Sequence, residues 1–191
     1  MIPLNIIRKN ELSSNIDAYS RKLTQGVYVV PVDTIYSLSC NATSNSAVRK
    51  LRRIKKTKQP LSVIVPSKGW ILDNCVIDYK AEEWISKLPG PYTLILKLKN
   101  KKAISSLVYN KKDMSIGVRF PKHWFVDIVK KLNFPVVTTS ANVSGGNLVS
   151  SIENLDPRLQ KNVDLIVSVG IKNTKPSTLV HLINEEKIVK R

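Results

Sequence analysis

The chain has 191 residues, of which 42% are hydrophobic, and its 31 basic and 14 acidic side chains give a formal net charge of +17. That size and apolar share imply a single globular domain over 1–191, and the modest glycine, proline and charged content excludes a collagenous or disordered chain. No apolar run approaches the roughly 20 residues that cross a bilayer, and the start MIPLNIIRKNELSSN lacks a signal-peptide core, so a cytoplasmic protein without membrane association is expected.

In chain order, residues 13–25 place Ile16, Tyr19 and Leu23 on one helical face, with Ser13 or Ser14 as N-cap and Gly26 just past the end. GVYVVPV (26–32) and IYSLSC (35–40) read as strands. A helix over 46–56 follows, with Ala47, Val48, Leu51 and Ile54 facing inward and a basic opposite face. LSVIV (61–65) fits a buried strand, YKAEEWISKL (79–88) a helix, YTLILKLK (92–99) and MSIGVRF (114–120) strands. Residues 122–132 give a further helix with Pro121 in its first turn. PVVTT (135–139) is a strand, SANVSGG (140–146) a loop, and Ser150 with Glu153 a capping box for a short helix. DLIVSVG (164–170), STLVHLI (177–183) and KIVKR (187–191) finish in strands, with NEEK (184–187) turning a hairpin. Interleaved strands and helices without a repeat or linker predict an α/β domain with a mixed, twisted sheet.

Cys40 and Cys75 stand far apart, outside any CxxC pair and away from His123 and His181, so buried thiols are expected and neither a metal site nor a disulfide. The window 49–58 carries Arg49, Lys50, Arg52, Arg53, Lys55, Lys56 and Lys58 with no acid in it. Two readings stay open: a phosphate site, with Lys55 and Lys58 favoured at the helix exit, or a solvated basic face offsetting the helix dipole. In SANVSGG, Ser140, Asn142 and Ser144 beside two glycines suit an anion-binding loop, although the same composition makes an ordinary turn. No dinucleotide fingerprint, P-loop or serine-histidine-acid pattern occurs, and His123 reads as a surface residue at a helix start.

Taken together, PVDTIYSLSCNA (31–42), IKKTKQPLSVIV (54–65), PGPYTLILK (89–97), SIGVRFPKH (115–123), TTSANVSGG (138–146) and STLVHL (177–182) resemble the YrdC family in its single-domain form. The resemblance implies an open, twisted mixed α/β sheet with flanking helices and a large basic concave cavity. It also implies threonylcarbamoyl-AMP synthesis: L-threonine, bicarbonate and ATP, with Mg2+ accompanying ATP, give the adenylate and pyrophosphate, and partner proteins then transfer the threonylcarbamoyl group to tRNA.

Carried over by motif, Lys55, Ser140 and Asn142 are the implied catalytic and ATP-phosphate residues, and Lys58, Gln59, Ser115 and Arg191 further ATP contacts. Thr34, Arg119, Thr138 and Ser177 are the implied threonine contacts. A guanidinium grips a carboxylate bidentately, which suits Arg119 to the amino acid's carboxylate and leaves the amine to be carboxylated. The chain departs from the family pattern at Val32, at Ser37 and Ser39 where glycines are usual, and at Thr57 where an arginine is usual. Two other functions compete: a module binding tRNA or double-stranded RNA, favoured by the charge, and a carbamoyl-adenylate-forming relative on the same fold.

Overall fold

The structure, a computed structural model, describes residues 6–143, 145–172 and 176–190. A short strand β1 (Ile6–Arg8) leads into helices α1 (Lys9–Ser14) and α2 (Ile16–Gln25), followed by β2 (Val27–Pro31), β3 (Tyr36–Asn41) and α3 (Asn45–Lys55). Next come β4 (Ser62–Ile64), α4 (Lys68–Asn74), α5 (Tyr79–Ser86), β5 (Tyr92–Lys97), β6 (Ser115–Arg119), α6 (Phe125–Leu132) and β7 (Val136–Ser140). A 3-10 turn (Ile152–Asn154), α7 (Pro157–Gln160), β8 (Leu165–Ser168), β9 (Thr178–His181) and β10 (Lys187–Val189) complete the described chain.

The ten strands among the described residues join one sheet in the order β1-β8-β2-β3-β7-β4-β6-β5-β9-β10. Its pairs are mixed, as expected: β4 runs parallel to β6 and antiparallel to β7, and β9 and β10 form the antiparallel hairpin around 184–187. Strand side chains alternate between faces. On one face Val29, Leu38, Cys40, Val63, Leu94, Val118 and Val137 pack against Ala47, Val48 and Leu51 of α3 and Ala81 and Ile85 of α5. On the other, Tyr28, Val30, Ile64, Val136 and Leu165 meet Leu12 of α1, Leu23 of α2 and Phe125, Ile128 and Val129 of α6. Both cysteines are free and buried as expected, and burial pushes the Cys75 thiol up to about 12 and the Cys40 thiol further still.

Several local expectations need correction. The helix over 13–25 is two helices, broken at Asn15, whose φ of −129° leaves the helical region, so Ser13 and Ser14 end α1 and do not cap α2. Pro121 lies outside α6, which starts only at Phe125: the segment 121–124 turns first, and the His123 Nδ1 accepts the Phe125 N–H at 3.3 Å in place of a conventional cap. Ser150 and Glu153 form no capping box, because Ser151 flanks a single 3-10 turn instead of a helix. Strand β1 and the short helices α4 and α7 were not expected. Ser67 starts α4 by accepting the Trp70 N–H at 3.0 Å, and Asp156 starts α7 by accepting the Arg158 N–H at 2.8 Å.

The basic window also has a partner from outside it. Asp164 accepts Lys50 Nζ at 2.6 Å and the Val27 N–H at 2.7 Å, fastening α3 and the start of β2 to the entry of β8. Gly26 lies at that junction with φ −92°, so it is not a left-handed cap. Its role is proximity: a Cβ there would lie 2.5 Å from Lys22 O and 2.9 Å from Asp164 Oδ2. Gly26→Ala is therefore expected to destabilise the fold by about 1–3 kcal/mol, read as a lower urea midpoint at unchanged slope.

Candidate active site

Register across the central strands brings hydroxyls together. Ser39 on β3 pairs with Thr138 on β7, Thr138 with Ser62 on β4, and Ser62 with Gly117 on β6, while Ser37 pairs with Ser140 one step along. Gly117 keeps this row tight, since a Cβ would lie 2.6 Å from Ser62 Oγ and 3.1 Å from Thr93 Cγ2. Among the described residues, the buried side-chain atoms without a hydrogen-bond partner are Tyr28 OH, Ser39 Oγ, Thr138 Oγ1 and Arg119 Nε. Tyr28 pairs with Ser39, and Arg119 lies two residues beyond Gly117, so all four orphans belong to one sheet face. Buried polar groups are nearly always paired, so a clustered set of orphans marks a surface completed by a ligand or by water.

Lys55, the last residue of α3, reaches the end of β7 with only 6% of its surface exposed. Its ammonium donates to Ser140 O at 2.6 Å, to Ser140 Oγ at 2.9 Å and to Asn142 Oδ1. Ser140 Oγ donates in turn to Asn142 Oδ1 at 2.6 Å, and Asn142 Nδ2 donates to Gly146 O. The three residues expected to act together are thus bonded to one another. Burial lowers the Lys55 pKa to about 8, and all three ammonium protons are occupied by neutral oxygens. A phosphate oxygen would bring the negative charge this network lacks.

Arg119, at the end of β6, donates from one terminal nitrogen to both oxygens of Asp33, at 2.8 and 2.9 Å, with the two side chains 6% and 13% exposed. The guanidinium expected to hold an amino-acid carboxylate therefore already carries an internal one, leaving Nε unpartnered. Lys172 lies within electrostatic reach of Asp33, and burial lowers its pKa. His123 is not a simple surface residue. It is half-buried, and burial together with the neighbouring Lys172, Lys9 and Arg119 lowers its pKa to about 4, so the imidazole is neutral at pH 7.

Of the other expected residues, Thr34 is buried beside Asp33 in the turn from β2 to β3, and Thr138 contributes one orphan hydroxyl. Ser177, buried just before β9, shares a 2.7 Å hydrogen bond with Thr93 on β5. Ser115 opens β6, its N–H held by Asp113 Oδ1 at 2.9 Å. Lys58 and Gln59 are exposed and line a cavity of about 510 Å3 whose lining does not include Lys55, Ser140 or Asn142. Arg191 and Ser144 lie outside the described residues. Asp33, Lys172, His123, Ser39 and Tyr28 had not been expected in the site. The one available signal was the alternation of Ser37 and Ser39 with Leu38 and Cys40, which announces a polar face. Among the described residues no three His, Cys, Asp or Glu side chains converge as metal ligands, and Asp33 is committed to Arg119, so these residues do not fit a resident metal.

The site is thus an open mixed α/β sheet with hydroxyls and a buried arginine on its central strands and a buried lysine at the end of the neighbouring helix α3. The Sua5/YciO/YrdC family model, described as telomere recombination, matches residues 22–191, and the chain belongs to that family. A Methanocaldococcus jannaschii protein named "Putative threonylcarbamoyl-AMP synthase" is 33% identical over 195 residues, covering 99% of this chain and 90% of its own. The crystal structure of Escherichia coli YciO superposes with a TM-score of 0.82 at 25% identity, covering 100% of this chain and 96% of that one. That of P. abyssi Sua5 complexed with L-threonine gives 0.82 at 22% identity, over 97% of this chain and 56% of that one. No helix among the described residues is long and apolar enough to cross a membrane.

Two outcomes are expected. Because the Lys55 pKa is depressed to about 8 from 10.5, the unfolded chain binds more protons between those values, and stability attributable to this group rises with pH there. Denaturant titrations at pH 7.5 and pH 10 should show that rise in the native chain and lose it in Lys55→Met, a difference on the order of 2–3 kcal/mol. Asp33→Asn should cost about 3 kcal/mol by leaving a buried guanidinium uncompensated, and less than that when combined with Arg119→Met, as a double-mutant cycle would show.

Proposed function

We propose that this chain is a nucleotidyltransferase that makes threonylcarbamoyl-AMP and pyrophosphate from L-threonine, bicarbonate and ATP. The supporting observation is the row of hydroxyls, including the orphaned Ser39 and Thr138, that lies in register between two recessed cations, Lys55 at one end of β7 and Arg119 at the end of β6. The name of the Methanocaldococcus jannaschii relative and the threonine complex of the Sua5 neighbour agree with this reading.

In the proposed reaction, threonine's carboxylate takes the free edge of Arg119, with Thr34, Thr138 and Ser177 beside it. Its amine, having given up a proton, forms a C–N bond with bicarbonate as water departs, giving a carbamate. A carbamate oxygen then bonds to the α-phosphorus as the bond to pyrophosphate breaks. The protein supplies no nucleophile. Lys55, Ser140 and Asn142, with Lys58, Gln59, Ser115 and Arg191 as further contacts, would position the phosphates and offset the charge that develops on them. Magnesium would enter as part of the nucleotide substrate. The product would pass to partner proteins that modify tRNA, in keeping with a cytoplasmic location.

Pyrophosphate release from ATP should require threonine and bicarbonate together. Arg119→Lys, which keeps the charge and loses the fork, should raise the threonine KM about tenfold or more, whereas Ser140→Ala should act mainly on ATP. Pyrophosphate release indifferent to threonine would sink the assignment, and productive replacement of threonine by carbamoyl phosphate would favour a carbamoyl-adenylate former.

A further inference from the structure

Distant parts of the fold meet at His123, in the turn between β6 and α6. Its imidazole centroid lies 5.4 Å from the ring of Trp124, and Lys9 of α1 holds its ammonium over that ring at 5.5 Å. Lys172, beyond β8, is fixed by its backbone N–H, which donates to Ser150 O at 2.8 Å. The charges of Lys9, Lys172 and Arg119 all lie within electrostatic reach of the imidazole. Lys9 and Lys172 are half-buried, and among the described residues neither forms an ion pair. The carboxylates nearby are committed. Asp33, within reach of Lys172, is bound by Arg119, and Asp127, in the cavity of about 360 Å3 that His123 lines together with Lys122 and Lys130, is paired with Lys130 at 3.1 Å.

The imidazole has a fixed orientation and a fixed proton. Its Nδ1 accepts the Phe125 N–H at 3.3 Å, and an accepting nitrogen carries no hydrogen, so the proton of the neutral ring resides on Nε2. Among the described residues no group accepts that Nε2–H. Burial, reinforced by the three cations, holds the pKa at about 4, so the ring stays a neutral donor through the physiological range.

We infer that the His123 Nε2–H, Lys9 and Lys172 form a subsite beside Arg119 for a small oxyanion, bicarbonate. The choice of anion rests on the nucleotidyltransferase reading above. In that reading the amino acid's carboxylate takes the free edge of Arg119, so the carbon attacked by its amine has to lie close to that residue, and the phosphates lie toward Lys55. Two ammonium groups offset the charge of bicarbonate and of the carbamate that replaces it as the C–N bond forms and water leaves. A neutral imidazole adds a hydrogen bond without delivering a proton to the amine, whose lone pair has to stay free. Lys9 precedes the stretch 22–191 that the family model matches, so its cation is an addition of this chain to that common part.

The chain has two histidines, His123 and His181, so NMR spectra of the imidazole nitrogens can follow His123 in the full chain without threonine or ATP. At about pH 8, bicarbonate and not chloride at equal ionic strength should shift the His123 Nε2 resonance, and Lys9→Ala/Lys172→Ala should weaken that binding about tenfold or more. An equal response to chloride, or a bicarbonate response unchanged in the double variant, would overturn the inference. In the threonine-dependent assay, two further variants separate this role from helix capping. His123→Asn keeps an acceptor for the Phe125 N–H but falls short of the Nε2 position, whereas His123→Gln keeps the reach and gives up the cap. The first should raise the bicarbonate KM about tenfold while the threonine KM stays within about twofold, and the second should recover most of that loss. The reverse order would reduce His123 to a cap, and a rise in the threonine KM instead would give these groups to the amino acid's own carboxylate; either overturns the inference. Absence of threonine-dependent pyrophosphate release, with lysine-dependent bicarbonate binding intact, would remove the synthase reading and leave the oxyanion subsite standing.

Discussion

The four central strands must bury one face under helices while carrying polar groups on the other, and the architecture follows from that requirement. Along β4 and β7 the change is abrupt: Ile64 and Val136 belong to an apolar core, and two residues away on the same face Ser62 and Thr138 carry hydroxyls. The reverse face is apolar at these positions, with Val63 and Val137 packed in the larger core. Burial of that face holds the strands in register, because a slip by one residue would exchange hydroxyls for methyl groups along every strand at once. The orphaned polar atoms can be kept only because the other side of the sheet supplies the cohesion.

Lys55 shows how a buried cation is held without an anion. A lone ammonium in a recess is costly, and three neutral oxygens from Ser140 and Asn142 compensate it only in part, which is why its proton is held more loosely than usual. An arriving phosphate would compete with those oxygens for the same protons and would offer full negative charge in exchange. The gain from replacing a neutral acceptor by an anion would be available only on binding, so on the proposed reading the unfavourable charge would favour an anionic ligand. Arg119 is arranged in the opposite way. It is neutralised by Asp33 in advance, and the Nε edge of the guanidinium is left without a partner.

Most of the architecture was legible from periodicity. The alternation of apolar residues gave the strands and the i, i+3, i+4 spacing gave α3 and the body of α6, because both patterns follow from burial of one face. Short elements escaped: β1 has three residues and α7 four, too few for a period to register. Asn15 divided a helix whose apolar spacing runs smoothly through it, a backbone event with no hydrophobic signature. In the site, the motif residues Lys55, Ser140 and Asn142 do meet. Asp33, His123 and Lys172 were invisible because each acquires its meaning from a partner far away in sequence, as Asp33 does from Arg119. The seven cations of 49–58 looked alike in sequence and separate in space into a tether on Asp164, a clamp on backbone carbonyls, a buried ammonium and an exposed remainder.

That separation also explains what a net charge of +17 can and cannot do. The ion pairs Lys87–Glu83, Lys130–Asp127 and Arg158–Asp156 are surface contacts between near neighbours in sequence, each worth little to stability. The excess cations therefore act chiefly as a field that draws anions from solution and weakens as salt rises. A field does not distinguish one anion from another. Discrimination would fall to the recessed groups: an anion at Lys55 would compete with three internal oxygens, whereas at Arg119 only the edge that Asp33 leaves unpartnered would be open to it.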